Sequence, residues 1–431
     1  MASLDFRTRR MGDETALDVG AFCESELPAR LAENGRLAAR GYARLGLAPL
    51  AFEIGEVRHS LRVEGDALAL RDGIDDDATH VVLDPRAFSE LVQDVSSALG
   101  LGMRGRVELR RGGMDQFVSW EPVLRAMLDG RPVHEPGMLT LRAHDGGPLD
   151  LERSFTLEDP PEEIGEFLAE AGFLRIRGVF GADEMAEISA DLDAAVAEAR
   201  PEEGRAWWAR GGDGAMYAAR ILGFNEKSPA LRRLLRDERI ARLGRFTGDA
   251  YVQRDPDSED AAEGLTKKIG VTDGISDVPW HKDCGPGMHS RRCCALTIGI
   301  CLTPADRESG ELGVVAGSHR ANVQGGGVRR DLDLPRVALP ADTGDVTVHC
   351  SCTLHMSRPP VSRERRVVYT SLALAPRPGE VLPRMERDAV RKSRAHLDDA
   401  GRRLVERGYG GGKSAEQFRL DDGGSGGAKA R

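Results

Sequence analysis

Beyond residue 290 the chain is a succession of short apolar runs cut by glycine and proline: "RCCALTIGICLT", "GELGVVAGS", "GDVTVHC" and "RRVVYTSLAL". Runs of this length, rich in β-branched residues and bounded by turn formers, predict strands rather than helices. Two helical patterns precede them. Pro160, Pro161, Glu162 and Glu163 open a helix carrying Ile164, Phe167 and Leu168 on one face. A strand over "FLRIRGVF" follows, and then Met185, Ile188, Leu192 and Val196 form the apolar stripe of a second helix. Helices first, then short strands, predict a helix-flanked double-sheet β-fold over residues 158–380.

The first 140 residues read differently. "LPARLAENGRLAARGYARLGL" has amphipathic helical spacing, and "RHSLRVEGDALALRDG" gives two strands around a tight Glu64-Gly65-Asp66 turn. "THVVLDPRAFSELVQDVSSAL" is a strand running into a helix with Asp84 as N-cap and Pro85 at its first position. "RGRVELRRG" is a further strand and "EPVLRAMLDG" a further helix. This order resembles the sterol carrier protein type 2 fold, which implies a sheet under helices enclosing an apolar tunnel. A generic α+β accessory domain has the same pattern. Residues 141–157, dense in Gly, Pro and Asp, read as a linker. Residues 381–431 read as one charged helix, its charges a solvated face, and a Gly-rich tail too polar to order itself.

A formal net charge of −10 over 431 residues argues against a duplex nucleic-acid binder. No apolar run has the length of a membrane span, and "MASLDFRTRRMGDETALD" lacks the apolar core of a secretory signal, so a cytoplasmic location is the expectation. The seven cysteines have no framework spacing. The Cys293-Cys294 pair and the CxC of Cys350 and Cys352 resemble neither a zinc ribbon nor a disulfide scaffold, and read as buried free thiols. Nothing specifies an oligomeric state.

Chemistry concentrates in "SDVPWHKDCGPGMHS". On a strand, residues i and i+2 share a face, so His281 and Asp283 can offer an imidazole nitrogen and a carboxylate oxygen to one point. A metal so held needs a third ligand, and "GDVTVHCSCTLHMSRPPVSRERRVVYTSL" supplies His349 and His355. Two histidines and one carboxylate leave open positions suited to Fe(II), a co-substrate and oxygen. Arg365 and Arg366 enter the next strand, where a guanidinium can pair bidentately with a carboxylate of a dicarboxylate co-substrate.

"PWHKD", "ESGELGVVAGSHR" and "GDVTVHCSCTLHMS" in this order resemble the motifs of the phytanoyl-CoA dioxygenase family over about residues 160 to 375. The resemblance implies a double-stranded β-helix (a cupin-like jelly roll) that couples oxidative decarboxylation of 2-oxoglutarate by O2 to hydroxylation of a substrate. It implies His281, Asp283 and His355 as Fe(II) ligands, with His349 the competitor for third place. Arg366, eleven positions past His355, matches the residue that binds the distal carboxylate of 2-oxoglutarate, with Ser357 in support. Lys267 or Lys268 matches a position near the keto-acid end, although both also read as surface lysines. His319 reads as ordering its loop and His289 as a solvated loop residue. Trp207, Trp208 and Tyr217 either line the cleft or anchor a loop.

The sequence departs from the family at Ala316, where a proline is usual, and in Arg358-Pro359-Pro360, where an asparagine is usual. Gly299 stands where a bulky aromatic is common, which would widen the 2-oxoglutarate pocket or shift the assignment by a residue. Asp283 is the carboxylate that related halogenases lack, so hydroxylation or desaturation is implied. The expected substrate is a small hydrophobic or acyl-type molecule. Two other classes are a non-catalytic carrier of hydrophobic ligands and a cupin-like metal-dependent isomerase without 2-oxoglutarate.

Overall fold

In the computed structural model the residues described are 13–246, 251–253, 255–259, 261–274, 278–285, 293, 295–375 and 420. The expected charged C-terminal helix and Gly-rich tail, and His289, lie outside them. Among the described residues no helix is long and apolar enough to cross a membrane.

The N-terminal unit is a five-stranded sheet in the order β3-β2-β1-β4-β5, comprising β1 (Leu50–Ile54), β2 (Val57–Glu64), β3 (Ala67–Asp72), β4 (Thr79–Leu83) and β5 (Val107–Arg111). Strands β1 and β4 run parallel and the other pairs antiparallel. Over it pack helices α1 (Leu27–Leu45), α2 (Pro85–Val92), α3 (Ala98–Met103) and α4 (Met114–Asp129). The Asp84 carboxylate accepts from the Ala87 N–H at 2.7 Å, so the chain turns from β4 into α2 where the sequence calls for it. Strand β1 went unread because "LAFEI" is short and follows the first helix with only a few residues between. Helix α4 starts at Met114, before the expected Glu121, and carries Pro122 inside it.

The expected linker is not uniformly free. Phe155 is fully buried in the second core and exchanges backbone hydrogen bonds with Arg175 and Arg177. Beyond it come α5 (Pro161–Ala171), β6 (Phe173–Ile176) and α6 (Ala182–Glu198). A large sheet follows, in the order β11-β7-β8-β10-β17-β12-β15-β6, with β9 paired to β17. Its members are β7 (Ala206–Arg210), β8 (Met216–Ile221), β9 (Tyr251–Gln253), β10 (Ala262–Lys267), β11 (Asp273–Gly274), β12 (Ala295–Cys301), β15 (Val346–Cys350) and β17 (Arg365–Leu374). A small sheet, β14 (Arg336–Leu339), β13 (Leu312–Val315) and β16 (His355–Ser357), faces it.

One face of the large sheet is core. Ile298, Ile300, Val346, Val348, Val368 and Leu372 pack in one cluster with Ile164, Leu168, Met185, Ile188 and Leu192 from α5 and α6. The alternate residues therefore point the other way, toward the small sheet. His349 on β15 and His355 on β16 meet across that gap with ring centroids 4.3 Å apart. The architecture is mixed α+β with the facing sheets of a cupin-type jelly roll.

Candidate metal centre

Side-chain parity on short paired strands sets the site. His281 is not on a regular strand, as the i, i+2 argument assumed. It forms isolated antiparallel bridges to Gly326 and to His355, donating its N–H to the His355 carbonyl and accepting from the His355 N–H, both at 2.9 Å. The following residues are held individually: Lys282 N–H donates to the Gly325 carbonyl at 2.9 Å and Asp283 N–H to the Ser351 carbonyl at 3.0 Å. The result is the convergence that a strand would have given.

Nε2 of His281 lies 3.4 Å from the Asp283 carboxylate, and Nε2 of His355 likewise 3.4 Å. The ligand atoms of these three residues all lie within 4.8 Å of one another. In both histidines the other ring nitrogen is engaged: Nδ1 of His281 is 2.7 Å from the Pro279 carbonyl and Nδ1 of His355 is 3.0 Å from the Thr353 carbonyl. A carbonyl can only accept, so each Nδ1 carries the proton and each Nε2 presents a lone pair to the shared point. Burial pushes the His355 imidazole well below its ordinary range, which keeps it neutral. Burial alone would raise the Asp283 carboxyl, but the surrounding imidazoles of His355, His281 and His349 hold it well below the usual carboxylate range. Two imidazoles oriented through their Nδ1 hydrogen bonds and an ionised carboxylate fit a divalent first-row cation.

His349 comes close, with Nε2 3.9 Å from the Asp283 carboxylate, but both of its ring nitrogens are buried without a hydrogen-bond partner. No carbonyl among the described residues fixes its tautomer or ring plane.

Arg366, the expected anion clamp, does not face the space between the sheets. Arg366 shares its face of β17 with Val368 and Leu372, and its guanidinium reaches Asp193 of α6 at 2.8 Å, outside the space between the sheets. Arg365 points inward, is 2% exposed, and donates to the Ser357 hydroxyl at 2.8 Å. Lys267, paired with Arg365 in the β10–β17 register, is fully buried rather than at the surface. Its ammonium donates to the Ser357 hydroxyl at 2.7 Å and to the Arg358 carbonyl. Ser357 lies two residues past His355 on the same face of β16, roughly 6.6 Å along the strand. Two buried cations thus share one hydroxyl beside the histidine triad, and Arg365 has no carboxylate partner among the described residues. Nothing in sequence spacing distinguishes Arg365 from Arg366; the apolar parity of Val368 and Leu372 was the available signal.

The inward wall continues through Thr297, Tyr369, Glu263, Arg220 and Trp207 by register. Arg220 pairs with Glu263 at 3.0 Å and stacks 4.6 Å from the Trp207 ring. The Trp207 Nε1 and the Arg220 Nε are buried without an acceptor among the described residues. Gly299 lies opposite Tyr369, and a Cβ there would stand 2.6 Å from the Thr347 hydroxyl and 3.1 Å from the Tyr369 ring. The space an aromatic at that position would take is thus filled from the neighbouring strand. His319 is 1% exposed, and one ring nitrogen lies 3.0 Å from the Ala169 carbonyl, which ties the loop to α5.

No curated protein matches the chain. Similar solved structures include AviO1 from Streptomyces viridochromogenes Tue57, 24% identical over 49% of this chain and 95% of that one, with a TM-score of 0.39. The non-heme alpha ketoglutarate dependent carbocyclase SnoK from nogalamycin biosynthesis is 25% identical over 52% of this chain and 88% of its own, TM-score 0.40. EctD from S. alaskensis with 2-oxoglutarate and 5-hydroxyectoine is 20% identical over 57% and 86%, TM-score 0.41. Residues 168–368 match the family model for phytanoyl-CoA dioxygenase (PhyH), a family whose cofactors are Fe(II) and 2-oxoglutarate.

Proposed function

We propose that the chain is an Fe(II)- and 2-oxoglutarate-dependent oxygenase in which His281, Asp283 and His355 hold the metal. The observation that carries this reading is the pair of tautomer-fixed imidazoles converging with an ionised carboxylate. Arg365, not Arg366, takes the distal carboxylate of 2-oxoglutarate, with Lys267 in support. Ser357 accepts from both cations and so has its own hydroxyl proton left to donate to the same carboxylate. When bound, Fe(II) and 2-oxoglutarate supply the oxidising power from O2, releasing succinate and CO2. The protein's own part is to orient the co-substrate between a buried cationic end and the triad, and to hold the substrate on the inner wall.

That wall argues for a substrate with oxygen acceptors. Trp207 Nε1 and Arg220 Nε are donors in want of an acceptor, beside aromatic faces. The hydrophobic-substrate expectation rests only on the likeness of the N-terminal unit to a sterol carrier. A cavity there is lined only by apolar side chains, including Phe22, Phe52, Leu61, Val81, Phe88 and Met127. That cavity is about 30 Å³, room for no more than a water-sized group, so the sterol-carrier-like reading of the unit rests on its order of elements alone. Hydroxylation is the reaction we favour, because Asp283 occupies the carboxylate position.

The test is anaerobic titration of metal-free protein with Fe(II) and 2-oxoglutarate, following the visible charge-transfer absorption of the chelate. The band is expected in the wild type and absent in His281→Ala. Iron binding without the band in the wild type would reject 2-oxoglutarate as co-substrate.

A further inference from the structure

Cys284 and Cys293 meet Cys352, 59 residues beyond Cys293, beside the His281–Asp283–His355 triad. The sulfurs of Cys284, Cys293 and Cys352 all lie within 4.8 Å of one another, with those of Cys293 and Cys352 3.4 Å apart. All three are buried, at 7%, 1% and 3% exposure. Sulfurs bound to one thiophilic ion at about 2.3 Å stand roughly 3.8–4.0 Å from each other, so small side-chain shifts would close this cluster on an ion.

A second observation points the same way. The Lys282 side chain is 8% exposed, and its ammonium donates to the Ser318 carbonyl at 3.3 Å. No carboxylate lies within ion-pair reach of it among the described residues. Cys352, Cys284 and Cys293 are among the groups that surround this ammonium. A buried charge without a counter-charge costs several kcal/mol. Neutral thiols do not answer it, whereas thiolates around an ion of lower total charge do.

We propose that Cys284, Cys293 and Cys352 form a second metal site, separate from the His281–Asp283–His355 triad, that binds a soft d10 cation as a tri-thiolate beside Lys282. Cu(I) and Zn(II) are the ions of this class that thiolates select. Binding replaces three S–H bonds by three metal–sulfur bonds and releases three protons, with no change of oxidation state. The complex carries a net charge of −2 with Cu(I) or −1 with Zn(II), and Lys282 offsets one unit. The proposal goes beyond the oxygenase reading and does not depend on it.

The experiment uses the full chain, purified metal-free under reducing conditions, with Cd(II) as the d10 probe. The His281→Ala variant serves as background so that the triad does not compete. A stoichiometric thiolate-to-metal charge-transfer band in the ultraviolet is expected. It should be lost in Cys293→Ser and in Cys352→Ser and kept in Cys301→Ser, another buried thiol, with circular dichroism reporting folding in each. Displacement of Cd(II) by Cu(I) or by Zn(II) identifies the ion. Absence of the band in folded protein overturns the site, as does a band that survives both serine variants. A mass lower by two hydrogens in protein that refuses Cd(II) overturns it in favour of a Cys293–Cys352 disulfide.

Discussion

His349 and His355 face each other across the two sheets, and what separates them is a backbone carbonyl. Thr353 fixes the His355 ring, whereas nothing among the described residues fixes His349. Unoriented imidazoles make poor ligands. His355→Ala should therefore abolish high-affinity Fe(II) binding by anaerobic titration, while His349→Phe should keep it within a few-fold; the reverse pattern would exchange their roles. The arginines divide in the same manner. Losing a charge-assisted hydrogen bond from a buried site costs about 1.5–3 kcal/mol, roughly ten- to a hundredfold in binding. Arg365→Ala should raise the KM for 2-oxoglutarate by that factor, and Arg366→Ala should leave it within about twofold. His319 adds a prediction in pH. Burial lowers its pKa from 6.5 to about 4. Through that window the unfolded chain binds a proton that the folded chain refuses, so stability falls as pH falls and levels off below about 4. His319→Gln should flatten that acid limb in chemical denaturation measured at several pH values. An unchanged limb would mean that other groups carry it. The types of the triad residues were legible in the sequence, because HxD and a distal histidine name their own chemistry. The choices of histidine and of arginine were not, because each turns on a carbonyl or on a strand parity that spacing does not encode.

Elements read best where local chemistry is decisive. Asp84-Pro85 caps α2 as written, since an N-cap carboxylate and a proline at the first helical position satisfy and pre-set the same turn. The segment "PWHKD" read worst. Its backbone partners are Gly325, Ser351 and His355, all remote in sequence, so no local pattern could show a one-residue bridge instead of a strand. The three-residue β16 is similar in kind: it carries His355 and Ser357 only because β13 pairs with it. In the ESGELGVVAGSHR segment Gly310 has φ +77°, and a Cβ there would stand 2.3 Å from the Arg358 carbonyl oxygen. That close approach accounts for a glycine before β13 without any part in catalysis. The helical layer, by contrast, is a matter of packing. Leu192 is fully buried against the outer face of the large sheet. Leu192→Ala should cost about 2–5 kcal/mol of stability in denaturant unfolding. Iron affinity should not change, because α6 lies on the far side of the sheet from the triad. A variant that loses iron in step with its stability loss would show that the sheet transmits the defect.

At the scale of the whole molecule the N-terminal unit is part of the metal centre's support. Ser97, the N-cap of α3, donates its N–H to the Gly285 carbonyl at 3.1 Å, and its hydroxyl donates to the Cys284 and Gly285 carbonyls at 3.3 and 3.1 Å. These carbonyls follow Asp283 directly. Asn322, shortly before the Gly325–Gly327 segment that brackets His281, donates to the Pro122 and Arg131 carbonyls at 2.9 and 3.0 Å. Both flanks of the HxD segment are therefore tied to a unit that contributes no ligand. Gly100 makes the tie testable, because a Cβ there would stand 1.8 Å from the Gly285 carbonyl oxygen, close enough to force backbone apart. Gly100→Ala lies in a helix, where alanine is the better former by about 1 kcal/mol, so α3 itself should not suffer. The strain falls on the loop that carries Asp283. Gly100→Ala should weaken Fe(II) binding by tenfold or more while the circular dichroism of the chain stays native, and Ser97→Ala should do so to a smaller degree. A Gly100→Ala protein that is folded and binds iron like the wild type would mean that the N-terminal unit merely abuts the unit that carries the triad. A graded loss would mean that the two units make one catalytic body, with Asp283 positioned from outside the domain that carries it.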